Sequence, residues 1–150
     1  ETVLAHGDRA FEVYQRTCPA YVEEISDIRK TEPYVYCQMV AGRDAPSFGE
    51  GKNSWLTGTA AWTFMNISQY ILGIRPTMSG LAVDPCLPAF MKGFSCERRY
   101  RGVRYRIRVE KPEGVSKGVS RMIVEGREIE GNVIPLSSDA WECHVTVVMG

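Results

Sequence analysis

The hydrophobic period of this chain changes once, from helical to two-residue, near Gly73. One stretch cannot obey both periods, so the change divides the chain into a helical first part and a β second part. In the second part Val103, Tyr105, Ile107 and Val109 alternate with Arg104, Arg106, Arg108 and Glu110, the pattern of a half-buried antiparallel strand. Cys143, Val145, Val147 and Met149 alternate with His144, Thr146 and Val148 as a closing strand, and Met122 and Val124 lead through the turn Glu125-Gly126-Arg127 to Ile129. Arg99 and Arg101 share the parity of the apolar positions, so Gly102 is expected to mark a bulge that resets the register. Short strands separated by glycine and proline predict an antiparallel β-sandwich from about Leu81 to Met149.

Ahead of Gly73 the signals are helical. Asp8 is an acceptable N-cap for a helix carrying Phe11, Val13, Tyr14 and Gln15. Pro19 ends or restarts it, Tyr21, Val22, Ile25 and Ile28 follow at helical spacing, and Pro33 stops that pattern. GRDAPSFGEG, residues 42–51, reads as a loop. From Trp55 to Tyr70 a long helix is expected, apolar on more than one side, with Gly73 as its C-cap. A helix greasy nearly all round belongs inside a larger helical assembly.

Composition narrows the function. Hydrophobic residues are 44% and charged residues 24%, and 18 basic side chains balance 18 acidic ones. Neutral charge removes the electrostatic case for nucleic acid or an anionic membrane surface. The arginines at 98, 99, 101, 104, 106 and 108 therefore read as a solvated strand face rather than a polyanion stripe. No apolar run reaches the roughly 18 residues of a membrane span. The five cysteines form no CxxC pair, so five reduced, metal-free thiols in a cytoplasmic setting are expected.

Two short segments carry chemistry. Asn53-Ser54-Trp55-Leu56-Thr57-Gly58-Thr59-Ala60 joins a loop to a helix start, where unpaired N–H groups, hydroxyls and a glycine suit a phosphate; a threonine that merely caps the helix explains it too. Glu32-Pro33-Tyr34-Val35-Tyr36-Cys37-Gln38 sets a carboxylate, two tyrosines and an amide together, as a sugar-binding surface or as an ordinary half-buried helix entry. His6 and His144 have no metal-ligand spacing, and no self-contained catalytic constellation is present.

GDRAFEVYQRTCPAY, EPYVYCQMVAG, NSWLTGTAAW, QYILGIRP and GLAVDPCLP, in that order, with KGFSCERRYRGVRYRIRVEKPEG and IVEGREIEGNVIPL behind them, resemble the C-terminal end of an inverting glycoside phosphorylase. The family is that of cellobiose, cellodextrin and chitobiose phosphorylases, glycoside hydrolase family 94, and the cellobiose-acting members look nearest. The resemblance implies an α+β chain: residues 1–73 as the last helices of an (α/α) barrel, residues 74–150 as a jelly-roll-like antiparallel β-sandwich. It implies phosphate contacts from Thr57 and Gly58, and a sugar contact from Gln38. The aspartate that acts as general acid is expected ahead of Glu1, since no DWND-like run occurs here, and so is a phosphate-holding histidine whose motif His6 does not match. Phosphorolysis of a β-linked disaccharide with inversion, to α-glucose 1-phosphate and a free sugar, is the implied reaction. The implied partners are the disaccharide, inorganic phosphate as co-substrate, the remainder of the barrel and a second copy in a homodimer, with no cofactor or metal. Taken alone, these residues are expected to be inactive. The rival reading is a non-catalytic carbohydrate-binding or structural module.

Overall fold

A computed structural model describes residues 1–32, 34–136 and 140–150. The chain forms two compact units, one of residues 12–65 and one of residues 1–11 with 66–150.

Helix α1 (Gly7–Thr17) opens one residue before Asp8. Asp8 is thus inside the first turn rather than at the cap, and its Oδ1 accepts the Ala89 N–H at 2.6 Å. The helix stops where expected, because Cys18 takes an extended conformation (φ −72°, ψ 125°) ahead of Pro19. The helical spacing from Tyr21 to Ile28 is realised in two pieces, a 3-10 stretch (Pro19–Ile25) and helix α2 (Ser26–Arg29). Val22 leaves helical geometry inside the first piece, and Lys30 closes the second in the left-handed region at φ 56°. Pro33, expected to end this pattern, lies outside the described residues.

A hairpin then corrects the all-helical reading of this part. Strand β1 (Cys37–Val40) pairs antiparallel with β2 (Gly51–Ser54), Cys37 against Ser54 and Met39 against Lys52. Residues 34–36 are consequently the approach to a strand, with Cys37 and Gln38 its first two residues, and not a helix entry. Four-residue strands are too short for a two-residue period to stand out against neighbouring helical signals. The loop between them is as expected, closed by Ala41 N–H to Glu50 O at 2.9 Å and Gly49 N–H to Ala41 O at 3.0 Å. Helix α3 (Thr59–Met65) begins four residues later than Trp55, and the path from Asn66 to Ile71 is π-helical, with Leu72 N–H reaching Ile67 O at 2.8 Å. Gly73 follows at φ 71°; a Cβ there would stand 2.2 Å from the Asp84 carbonyl, so only glycine fits.

The unit of residues 1–11 and 66–150 holds two sheets. Strands β3 (Ile74–Pro76), β4 (Gly80–Val83), β5 (Gly93–Tyr100), β6 (Val103–Glu110), β7 (Arg121–Val124), β8 (Arg127–Ile129), β9 (Val133–Pro135) and β10 (Glu142–Val148) are ordered β3-β4-β9 and β5-β6-β10-β7-β8. Strand β4 is buried throughout, and β6 and β10 bury the apolar positions that alternation predicts. The Tyr100 hydroxyl donates to Thr77 O at 2.8 Å, tying the larger sheet to the β3–β4 connection.

Two details depart from the sequence reading. Gly102 marks no bulge: Arg101 (φ 47°) and Gly102 (φ 83°) form a two-residue turn with Tyr100 opposite Val103. Positive φ at both positions is the type I′ geometry that matches strand twist, and the turn itself shifts the parity. Second, the sheets are not wholly antiparallel, since β10 lies parallel to β6 with Tyr105 beside Cys143, Ile107 beside Val145 and Val109 beside Val147. No hairpin joins these strands, so their direction is free to be set by matching apolar positions. The turn at Glu125 (φ 48°) and Gly126 (φ 76°) is as expected.

Candidate functional site

Gln38, Thr57 and Gly58 all belong to the unit of residues 12–65: Gln38 sits near the open end of the β1–β2 hairpin, and Thr57 and Gly58 follow β2 in the chain, ahead of α3. The register sets Gln38 opposite Asn53, and the Asn53 side-chain Nδ2 donates to Gln38 Oε1 at 2.9 Å. Both side chains are exposed. Two residues on, Trp55 stands in the left-handed region at φ 69°, as Asn53 does at φ 54°. Asparagine tolerates this region; for tryptophan it is strained. Two contacts hold Trp55 there. Its indole N–H donates to Glu32 Oε1 at 3.1 Å, and its ring meets Tyr34 edge-on at 6.3 Å between centroids. A backbone hydrogen bond within Glu32 and the Trp55 indole together hold the Glu32 carboxyl below the usual carboxylate range.

The chain then enters α3. Thr57 Oγ1 accepts the Thr59 backbone N–H at 3.1 Å and lies 2.6 Å from Thr59 Oγ1. The capping role weighed for Thr57 is therefore present as geometry. Gly58 has no positive φ, and a Cβ added to it would touch only Trp62, at an ordinary 3.6 Å. Nothing within the described fold demands a glycine at this position. The structure thus joins Gln38 to Asn53 and Trp55 to both Glu32 and Tyr34, and places Thr57 and Gly58 just ahead of α3, with no contact between them and Gln38 among the described interactions. Asn53 and Trp55 escape sequence reasoning as individual residues. Their signal is an asparagine at a strand end, a residue type that favours positive φ.

Other candidates resolve plainly. His6 Nδ1 lies 2.9 Å from Glu1 Oε2 at the surface. Arg104, Arg106 and Arg108 pair with Glu97 (3.3 Å), Glu142 (2.5 Å) and Glu110 (3.0 Å), as a neutralised solvated face would. Arg98 departs from that reading: it stands opposite the buried Tyr105, and its Nε is buried with no hydrogen-bond partner among the described residues, while Arg101 lies in the β5–β6 turn. The five cysteines are free thiols, and burial pushes those of Cys86, Cys96 and Cys143 up. Among the described residues no group of three or more His, Cys, Asp or Glu could hold a metal ion, and no helix is long and apolar enough to cross a membrane.

Known proteins resemble the chain over its whole length. Residues 1–73 match the glycosyl hydrolase 94 superfamily, catalytic domain. Over all of its length the chain is 40% identical to N,N′-diacetylchitobiose phosphorylase of Vibrio proteolyticus, covering 19% of that protein, and 41% identical to the enzyme of the same description from Vibrio furnissii, covering 18%. Over 99% of its length it is 33% identical to solabiose phosphorylase of Paenibacillus borealis, covering 19% of it. The chain belongs to the glycosyl hydrolase 94 superfamily. It spans about a fifth of the length of the curated relatives it matches.

Proposed function

We propose that these 150 residues work as the C-terminal part of an inverting phosphorylase of a β-linked disaccharide. Thr57 and Gly58 contact phosphate, Gln38 contacts the sugar, and the general acid comes from elsewhere in the complete enzyme. Residues 1–73 complete the barrel that holds the active site, and residues 74–150 form the accessory β domain. In an inverting glycosidase a base activates water on the face opposite the leaving group. A phosphorylase uses phosphate in its place. One phosphate oxygen attacks the anomeric carbon while the glycosidic C–O bond breaks, and the acid's proton goes to the leaving oxygen. The products are an α-sugar 1-phosphate and a free sugar. Phosphate is anionic at neutral pH and needs no base; it needs a cradle that holds it in line. No organic cofactor or metal enters this chemistry. The Vibrio relatives, named for N,N′-diacetylchitobiose, turn the choice of disaccharide toward linked N-acetylglucosamine and away from the cellobiose type that the motifs bring first to mind.

The observation that carries the reading is Gly58. Neither its φ nor its neighbours require a glycine, and the absence of a side chain there leaves the backbone open to close approach by an anion. In the complete enzyme Gly58→Ala should leave the melting temperature unchanged or raised, as replacing a compatible glycine does by about 0.4–1 kcal/mol, while the apparent phosphate constant rises. Thr57→Val removes a hydroxyl donor to a charged partner, worth about 1.5–3 kcal/mol or roughly one to two powers of ten in phosphate affinity. Its loss as a cap adds about 1 kcal/mol of destabilisation. Phosphate saturation at the original concentration in both variants would leave Thr57 as a cap only and favour the non-catalytic module.

A further inference from the structure

The Asn53–Gln38 contact has a chemical direction. A carboxamide presents one acceptor and two donors in a fixed plane, so fixing one end fixes the other. Asn53 Nδ2 donates to Gln38 Oε1 at 2.9 Å, which occupies the oxygen end of Gln38 and turns its NH2 away from the hairpin partner. Gln38 is exposed on β1, so that NH2 is offered outward. The backbone of Asn53, in the left-handed region at φ 54°, has just left strand geometry, and Leu56 N–H caps its carbonyl at 3.3 Å.

We infer that Asn53 is a positioning residue that sets the orientation of the Gln38 amide, so that Gln38 meets the sugar as a hydrogen-bond donor to a hydroxyl oxygen. This rests on the proposed sugar contact of Gln38. Without a neighbour the exposed amide would turn freely between its two orientations, and the sugar would have to select one at each binding event. With Asn53 in place the donor orientation is set before the sugar arrives, and less ordering is left for the binding step. The location of the partner follows from the register: a residue directly across an antiparallel pair is the nearest side chain not adjacent in sequence.

The left-handed backbone makes the test clean. Asn53→Gly and Asn53→Asp both tolerate φ 54°, so neither variant strains the turn. Asn53→Gly deletes the partner. Asn53→Asp keeps its shape and still bonds Gln38, but a carboxylate only accepts, so it draws the NH2 inward and turns the carbonyl out. In the complete phosphorylase, Gln38→Ala, both Asn53 variants and the double variant Gln38→Ala/Asn53→Gly are assayed for the Michaelis constants of sugar 1-phosphate and of phosphate. Asn53→Gly is expected to raise the sugar constant by about twofold to tenfold, the size of one neutral hydrogen bond. Asn53→Asp should raise it at least as much, the phosphate constant should hold, and Asn53→Gly should add nothing once Gln38 is alanine. A role as a mere brace predicts instead that Asn53→Asp keeps the wild-type value, and that result overturns the inference. A sugar constant unchanged in both Asn53 variants, or raised additively in the double variant, overturns it as well. A Gln38→Ala enzyme with an unchanged sugar constant overturns the sugar contact of Gln38 itself.

Discussion

Tyr105 is 1% exposed on β6, and its buried hydroxyl has no hydrogen-bond partner among the described residues. A buried polar group left unpaired costs free energy that an apolar group of the same shape does not. Tyr105→Phe is therefore expected to hold or raise stability in denaturant unfolding, although most substitutions at core positions lower it. Tyr14 presents the opposite case, a phenol kept protonated by its neighbours. A hydrogen bond with Cys18, and then burial, push Tyr14 up to about 12. The unfolded phenol ionises near pH 10, so between there and about 12 the unfolded state gives up its proton first. The stabilisation from Tyr14 is complete below pH 10 and fades as pH climbs through that window. Tyr14→Phe should flatten this part of the stability–pH curve, and urea melts across the alkaline range read it directly. For Glu32 the sign reverses. Its lowered carboxyl favours the folded state above the ordinary carboxylate range, and that benefit is lost as pH falls. Trp55→Phe removes the indole donor, so the Glu32 carboxyl in an NMR titration should move back up.

The hairpins give the element scale its sharpest expectation. Two-residue type I′ turns prefer asparagine then glycine, yet the β5–β6 turn holds Arg101 at φ 47° ahead of Gly102. Arg101→Asn relieves a side chain poorly suited to this region and should raise the thermal midpoint, whereas Gly102→Ala at φ 83° should lower it by about 1 kcal/mol equivalent. These turns also show which elements are legible in the sequence. Strands β6 and β10 run seven or eight residues with one face buried, long enough for alternation to outweigh everything local. The hairpin of β1 and β2 carries no such record, because its four-residue strands bury little and their residues also fit helical spacing. A π-helical path such as that of residues 66–71 has no periodicity of its own in so short a run. The same division holds at the candidate site. Thr57, Gly58 and Gln38 stand out because a long ordered set of motifs carries them. Asn53 matters through a neighbour 15 residues earlier in the chain, and only the strand register reveals that meeting.

At the scale of the molecule, apolar surface is distributed unevenly. Trp55, Leu56 and Trp62 are 66%, 68% and 70% exposed around the start of α3, whereas Leu81, Val83, Ile134 and Val147 are sealed in the unit that carries the sheets. Large apolar side chains left this exposed close together in the chain suit a surface that other protein covers. The chain produced by itself should therefore bind the dye ANS and self-associate in light scattering, and both signals should fall in the complete enzyme. Leu81→Ala should cost about 2–5 kcal/mol in the sheet-bearing unit, measurable as a lower unfolding midpoint with ANS binding unchanged in the native protein. The position of β10 has a consequence for synthesis. It is made after the four other strands of its sheet, yet it lies third in the five-stranded order, between the β5–β6 and β7–β8 hairpins. On the ribosome both hairpins emerge while the strand that joins them is still unmade, each with an open edge and an apolar face. Until β10 arrives, the two are loose pieces that any other nascent strand can pair with. Correct assembly is thus a race between the synthesis of β10 and misplaced pairing of the two open edges.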